Sequence, residues 1–300
     1  MAVMAEKRTN HAFREFFETC RLKAMQLALE EDRFQGDITT EATVDQNQLG
    51  LGYIEVKSEG IIAGVEVARQ VFQSLDAALE FTAYVKDGKR VYPGERVLEV
   101  KGRIASILIG ERTALNFMQR MSGIATRTNM YVERVSHTNA SILDTRKTAP
   151  ALRYYDKEAV RIGGGTNHRF GLFDMILIKD NHIDAAGSVE EAIRRAKAYC
   201  QEQGVSAKIE TEVRSISELV RACASRPDMI LLDNFMVDDL AEAVRWIKAN
   251  GFGNILLEAS GNIGLHNVSE VAMTGVDFIS IGELTHSVKA LDMSMKIERA

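Results

Sequence analysis

DTRKTAPALRYYDKEAVRIGGGTNHRFGLFDMILIKDNH, residues Asp144–His182, is the stretch on which the fold of this chain turns. Between Asp144 and Lys179 it carries seven Lys/Arg against four Asp/Glu. Arg146 and Lys147 follow the apolar run Ser141-Ile142-Leu143, and Lys179 closes the run Met175-Ile176-Leu177-Ile178. His168 and Arg169 come just after the triplet Gly163-Gly164-Gly165. One cation in such a place is ordinarily an ion-pair partner or a surface charge. Five of them in one window, at strand ends and beside a glycine loop, point instead to a pocket for a small polyanion.

Outward from that stretch the same pattern repeats. Short apolar runs end in polar residues at Ile142-Leu143-Asp144, Ile176-Leu177-Ile178-Lys179, Lys208-Ile209-Glu210, Ile230-Leu231-Leu232-Asp233, Ile255-Leu256-Leu257-Glu258 and Ile279-Ser280-Ile281-Gly282. Their starts lie roughly 22–34 residues apart. Helical stretches fall between several of them: Val189–Gln203, Ile216–Ala224 and Val237–Asn250. A repeated strand-helix unit implies a parallel sheet. Strands that are apolar almost throughout fit a (β/α) barrel better than an open sheet. Six strands are countable, fewer than eight, so the expected barrel is incomplete.

The earlier half reads differently. MAVMAEKRTN resembles a frayed end, and His11–Glu31 has the apolar spacing of an amphipathic helix, from Phe13 through Phe16, Phe17 and Met25 to Leu29. Asp37 and the threonines of GDITTEAT supply turn and capping chemistry. From Leu49 to Gly102, short strands are separated by the turn signals Asp87-Gly88 and Pro93-Gly94, with a helical Val65–Leu75 between them. The expectation is a small antiparallel sheet with helices, an α+β domain. Ile104–Val135 reads as one long helix carrying Arg112, which spacing alone makes an exposed helix arginine.

Composition narrows the function. The chain has 300 residues, 46% apolar and 26% charged, and a formal net charge of -5. That balance excludes a broad nucleic-acid footprint and suits a compact anionic ligand. Cys20, Cys200 and Cys223 are odd in number and lack metal-ligand spacing. They fit buried free thiols in a reducing compartment. No secretory signal and no apolar run of membrane-spanning length is found, so a cytoplasmic enzyme or binding protein, without membrane association, is expected.

Barrel enzymes work at the carboxyl ends of their strands. Here those ends supply Arg146, Lys147, Lys179, Glu212, Asp233, Ser260, Gly261, Asn262 and Gly282. An arginine fork grips a carboxylate through two parallel hydrogen bonds. Arg146, Arg169 and Arg112, with Lys147 and Lys179, could therefore hold a ligand with two carboxylates. Gly261 and Gly282 have the character of phosphate-binding backbone, although glycine after a strand is also an ordinary turn. Glu212 and Asp233 could hold ribose hydroxyls or Mg²⁺, or could pair with cations across the barrel mouth.

These residues lie within blocks that resemble the quinolinate phosphoribosyltransferases, also called nicotinate-nucleotide pyrophosphorylases (carboxylating). The blocks are GDITT (Gly36–Thr40), GERTALN (Gly110–Asn116), MSGIAT (Met121–Thr126), DTRKTAPALR (Asp144–Arg153), GGGTNHRFGL (Gly163–Leu172), ILIKDNHI (Ile176–Ile183), IETEV (Ile209–Val213), ILLDNF (Ile230–Phe235), LEASGN (Leu257–Asn262) and FISIGELTHS (Phe278–Ser287). They cover nearly the whole chain in order. The combination of DTRKT, NHR and IKDNH is specific, whereas any one block alone is weak.

The resemblance implies an α/β protein with an N-terminal α+β open sandwich domain at 1–120 and a seven-stranded, incomplete (β/α) barrel at 121–288. The tail, about 289–300, is expected to return to the sandwich. The implied reaction joins quinolinate to 5-phosphoribosyl 1-pyrophosphate and gives nicotinate mononucleotide, pyrophosphate and CO2, with Mg²⁺ as cofactor, in NAD biosynthesis. Arg112, Thr145, Arg146, Lys147, His168, Arg169 and Lys179 would meet the quinolinate. Lys179, Glu212, Asp233, Ser260, Gly261, Asn262, Gly282 and Glu283 would meet the phosphoribosyl pyrophosphate. Lys147, Glu212 and Asp233 would be the catalytic groups, and Glu212 and Asp233 would hold the metal directly or through water. A homodimer with shared sites is implied, with Arg112 reaching into the partner's pocket and a hexamer as a larger assembly. Two positions depart from many relatives: Asn262 stands where a second glycine is common, and Glu283 where a small residue is common. Three alternatives stay open on the residues alone: a Schiff-base lyase using Lys179, a related phosphoribosyltransferase-like protein with another acceptor (such as that of molybdate operons), and a non-enzymatic phosphoribosyl-binding regulator.

Overall fold

Residues 11–299 are described in the computed structural model. The segment MAVMAEKRTN, read above as a frayed end, and the side chain of Phe13 lie outside the described residues. The chain divides into two compact units. One takes the residues up to Asn129, Lys147–Gly164 and the chain end from Glu283; the other takes Met130–Arg146 and Gly165–Gly282.

The first unit opens with α1 (His11–Arg33), α2 (Ile38–Thr43), β1 (Leu49–Val56), β2 (Gly60–Ile61), α3 (Val65–Leu75), β3 (Glu80–Ala83), β4 (Arg90–Val91), β5 (Arg96–Arg103) and the start of the long helix α4 (Ile104–Val135). Asp37 caps α2 by accepting the Thr39 and Thr40 amides at 3.0 and 3.1 Å. The expected antiparallel sheet is present, four-stranded, in the order β12-β1-β5-β3, where β12 is the chain-terminal strand Met293–Arg299. Its register runs from Gly50 opposite Arg299 to Val56 opposite Met293. The α4 helix lies tight on this sheet because β1 carries glycine where they meet. A Cβ at Gly52 would stand 2.7 Å from Ile107 Cγ2, inside contact distance. On α1, Phe17, Met25 and Leu29 are buried, but Phe16, Leu22 and Leu27 are exposed, so the described fold covers only part of the helix's apolar surface.

The second unit follows the strand-helix rhythm read from the sequence: β6 (Ser141–Leu143), then, after α5 (Arg153–Ile162) of the first unit, β7 (Ile176–Ile178), α6 (Asp180–Ala186), α7 (Val189–Glu202), β8 (Ile209–Val213), α8 (Ile216–Ala224), β9 (Met229–Asp233), α9 (Val237–Ala249), β10 (Leu256–Ser260), α10 (Val268–Met273) and β11 (Phe278–Ser280). Ser188 and Ser215 cap α7 and α8, each accepting an amide at 3.2 Å. All six strands are parallel, in the order β6-β11-β10-β9-β8-β7. A single parallel bridge from Leu143 to Thr166 adds a seventh position beyond β6. No ladder among the described residues joins Thr166 to β7, so the layer is an incomplete barrel. The sequence missed Thr166 because one bridging residue leaves no apolar run. Ile142, Leu143, Ile230, Leu232 and Ile279 form much of its core.

In the first unit, α4 and α5 are joined by a buried ion pair. Arg120 forks onto Asp156 through Nε and Nη2, both at 2.8 Å, and Asp156 also accepts the Ala149 amide at 3.0 Å. Asp156 is fully buried, so removing it strands the guanidinium and an amide. Asp156→Ala should cost about 3 kcal/mol of stability, seen as a lower urea midpoint with an unchanged slope.

Candidate active site

Parallel strands place every carboxyl end on one edge of the layer. The register makes neighbours of Asp233 and Ser260, and of Ser260 and Ser280. Ile281 donates its amide to Leu143 O at 2.9 Å, which sets Gly282 beside the end of β6. Thr145, Arg146, His168, Arg169, Lys179, Glu212, Asp233, Ser260, Gly261, Asn262 and Gly282 therefore share this edge within the second unit. Arg112, Lys147 and Glu283 belong to the first unit. There, Arg112 is exposed on α4, the Lys147 carbonyl accepts the Thr285 hydroxyl at 2.8 Å, and Glu283 pairs with Arg127 at 2.6 Å.

The cationic side is built on Asp144, at the end of β6. This carboxylate is fully buried. Its Oδ1 accepts the His168 main-chain amide at 2.9 Å and its Oδ2 accepts Asn167 Nδ2 at 2.7 Å. The glycine-rich loop is thereby pinned at the strand end. The next turn is pinned by Asp174, which takes the Phe170 and Gly171 amides at 2.6 and 3.0 Å. Arg169, half-buried between these anchors, has its guanidinium pKa lowered, first by burial and then by repulsion from Arg146; Asp174 and Glu210 oppose the shift. Arg146 thus adds positive charge beside Arg169, a setting that favours an anion.

Across the edge, Lys179 Nζ lies 3.7 Å from Glu212 Oε2. Lys179 follows β7, and its own amide is held by His182 Nδ1 at 2.9 Å at the start of α6. The Glu212 carboxyl is raised from its ordinary range, chiefly by burial, with Lys179 opposing and Asp233 and Asp180 adding to the rise. Asp233, on the adjacent strand, thus adds negative charge beside Glu212. Two carboxylates at one mouth are the donor set a hard divalent cation takes, with water and phosphate completing its shell. The loop after β10 is left-handed at Gly261 (φ 92°) and Asn262 (φ 52°). A Cβ at Gly261 would fall 2.2 Å from Asn234 Oδ1. Asn262 suits this backbone, as few side chains do, and donates from Nδ2 to Asn234 at 3.1 Å.

Sequence reading missed the groups beneath this edge. Glu210 and Glu258 are buried within the strand layer, at 0% and 1% exposure. His168 Nε2 is 3.1 Å from Glu210 Oε2 and 3.3 Å from Glu258 Oε2. The Ser280 hydroxyl donates to Glu258 Oε1. The signal was present in IETEV, where two glutamates two apart share one face of a buried strand. His168, Glu210 and Glu258 bring ligand-type atoms within 4.8 Å of one another, but Nε2 already sits at hydrogen-bonding distance, which is the spacing of a shared proton. Burial lowers the ring's proton affinity, yet the Glu258 charge and the bond to Glu210 outweigh it and push His168 up to about 10. The Arg169 amide also lies 2.6 Å from His168 Nδ1, which favours the neutral ring. The acids at Nε2 and the amide at Nδ1 thus act on the ring in opposite directions. In either form Nε2 carries a proton.

A cavity of about 450 Å³ in the second unit lies elsewhere. It is lined by His137, Lys248 and Asp277 among others and opens at the amino ends of β10 and β11.

Comparison with known proteins fits this arrangement. The family described as quinolinate phosphoribosyl transferase, N-terminal domain, matches residues 37–122, and its C-terminal domain matches residues 124–296. The chain is 45% identical over 290 residues to quinolinate phosphoribosyltransferase [decarboxylating] 2a, mitochondrial, of Nicotiana tabacum, covering 91% of this chain and 81% of that one. It is 42% identical over 267 residues to the probable nicotinate-nucleotide pyrophosphorylase [carboxylating] of Bacillus subtilis, covering 89% and 90%. Among solved structures it resembles NadC from Streptococcus pyogenes, with a TM-score of 0.87, 40% identity, and 93% and 96% of the two chains covered.

A raised histidine pKa stabilises the fold fully below the unfolded value near 6.5 and loses that contribution as pH rises through about 10. The stability difference between the wild-type chain and His168→Gln should therefore be larger near pH 6 than near pH 11 in urea unfolding. Equal differences at the two pH values would contradict the assignment.

Proposed function

The chain belongs to the quinolinate phosphoribosyltransferase family, and we propose that its strand-end residues divide that family's reaction between a cationic grip and an acidic wall. The reaction transfers phosphoribosyl from 5-phosphoribosyl 1-pyrophosphate to quinolinate with decarboxylation. Arg146, Arg169 and His168 grip the two carboxylates, with Thr145 and Lys179 beside them. Lys147 and Arg112 complete the grip, Arg112 from a second copy of the chain. The observation that carries this reading is the placement of Arg146, His168 and half-buried Arg169 together on one edge of the strand layer, with Arg146 adding positive charge beside Arg169.

Glu212 and Asp233 face the ribose. As pyrophosphate leaves, positive charge builds at the ribose carbon, and these carboxylates steady it. The quinolinate nitrogen forms the new bond to that carbon while the carbon–oxygen bond to pyrophosphate breaks. The pyridinium so formed stabilises the carbanion left when the adjacent carboxylate departs as CO2, and that carbon then takes a proton from water to give nicotinate mononucleotide. The chain contributes orientation and electrostatics, and no covalent nucleophile. Glu212 and Asp233 are also the groups that would hold Mg²⁺, directly or through water; when bound, the ion neutralises charge on the pyrophosphate. Ser260, Gly261, Asn262 and Gly282 offer main-chain amides and a hydroxyl to phosphate. Glu283, an acid already paired with Arg127, shapes the neighbouring loop.

A homodimer is supported by apolar side chains left exposed in the first unit, among them Phe16, Leu27, Phe34 and Ile38. A hexamer would be built from such dimers. Among the described residues no helix is long and apolar enough to cross a membrane. The three unpaired cysteines suit the reducing cytoplasm, where this chain is proposed to work.

Incubation with quinolinate, phosphoribosyl pyrophosphate and Mg²⁺ should yield nicotinate mononucleotide, with nicotinic acid a poor rival acceptor. Preferential use of nicotinic acid would overturn the diacid reading. Arg146→Ala should raise the quinolinate KM about tenfold or more with little change in the KM of the sugar pyrophosphate. An unchanged quinolinate KM would count against the grip.

A further inference from the structure

Barrel interiors are ordinarily filled with branched aliphatic side chains. Here two positions of the buried layer are glutamate. Glu210 on β8 and Glu258 on β10 are closed off from water within the strand layer. Burying such charges is costly, and apolar residues of similar volume commonly serve as well or better. Compensation is also incomplete, since neither Glu210 Oε1 nor Glu258 Oε2 has a hydrogen-bond partner, so that Nε2 bonds Glu210 and meets Glu258 through charge alone. A purely structural role gives no reason to keep this arrangement.

Both carboxylates converge on one atom, His168 Nε2, at 3.1 and 3.3 Å. The main chain of His168 is fixed separately, by Asp144. The ring is thus held from below by the barrel interior, and its backbone from the side by the end of β6. The charged groups facing the imidazole are Glu210 from β8 and Glu258 from β10, while Asp144 bonds the His168 main chain and Arg169 follows next in the chain with Arg146 near it.

We infer that Glu210 and Glu258 are positioning residues that hold His168 by Nε2, keep a proton on that nitrogen, and so fix the direction from which His168 and Arg169 meet the substrate's carboxylates. The inference rests on the reading of His168 as part of the quinolinate grip. It deepens that reading by adding a pair of interior residues that act only through the histidine. A divalent ion held among the same three side chains would instead strip the proton from Nε2.

The test uses the full-length enzyme with Mg²⁺. Glu210→Met removes the acceptor while keeping bulk. It should raise the quinolinate KM about tenfold and leave the KM for phosphoribosyl pyrophosphate within about twofold. Glu210→Gln retains an acceptor oxygen and should restore most of the loss. Nitrogen-15 NMR of the wild-type imidazole should show Nε2 protonated. A folded Glu210→Met with unchanged quinolinate KM overturns the inference, as does a wild-type ring whose only proton is on Nδ1 or whose Nε2 carries a metal. If Glu210→Met does not fold, the wild-type spectrum decides. His168→Ala separates the two levels. An unchanged quinolinate KM there removes His168 from the grip altogether. A raised KM there with an unaffected Glu210→Met removes only the role of the glutamates.

Discussion

The parallel alignment of six strands is the constraint on which the rest of the structure depends. A parallel layer gathers every carboxyl end on one edge, and the described register sets those ends side by side. The sequence then needs only to choose the residues just past each strand. After β6 and Thr166 it places cations, after β8 and β9 acids, and after β10 and β11 small residues. Charge is sorted along the edge by strand order, with Lys179 and Glu212 meeting where the two halves join.

That sorting has an electrostatic cost, and the cost is informative. Arg169 is crowded by Arg146, and Glu212 by Asp233 and Asp180. Surfaces under selection for stability alone alternate their charges. A diacid on one side and a sugar pyrophosphate with its metal on the other relieve both strains together.

Much of this was legible in the chain, and the gaps have physical causes. The helices Val65–Leu75, Ile104–Val135 and Ile216–Ala224 emerge directly from apolar spacing and caps. The six strands stood out because buried parallel strands are nearly all apolar. Thr166 was invisible because a single bridge has no pattern. The helix α5 went unread because its ten residues include Arg153, Asp156, Lys157, Glu158 and Arg161, so its mean composition is that of a solvated loop. Its buried face depends instead on a long-range partner, Arg120, which no local window contains. Glu210 and Glu258 were missed for a related reason. Strand-end logic looks at the rim, while these acids act one layer down, through a histidine far away in sequence. The NHR block marked His168, but nothing local in that block names what holds it.

Recognition stands on a cationic edge matched to two carboxylates. Calorimetric titration of the wild-type chain with quinolinate and, separately, with nicotinate tests this most directly, since the two ligands differ by one carboxylate on the same ring. The diacid should bind at least about tenfold more tightly, the margin of one charge-assisted bond. Equal affinities for the two acids would contradict it.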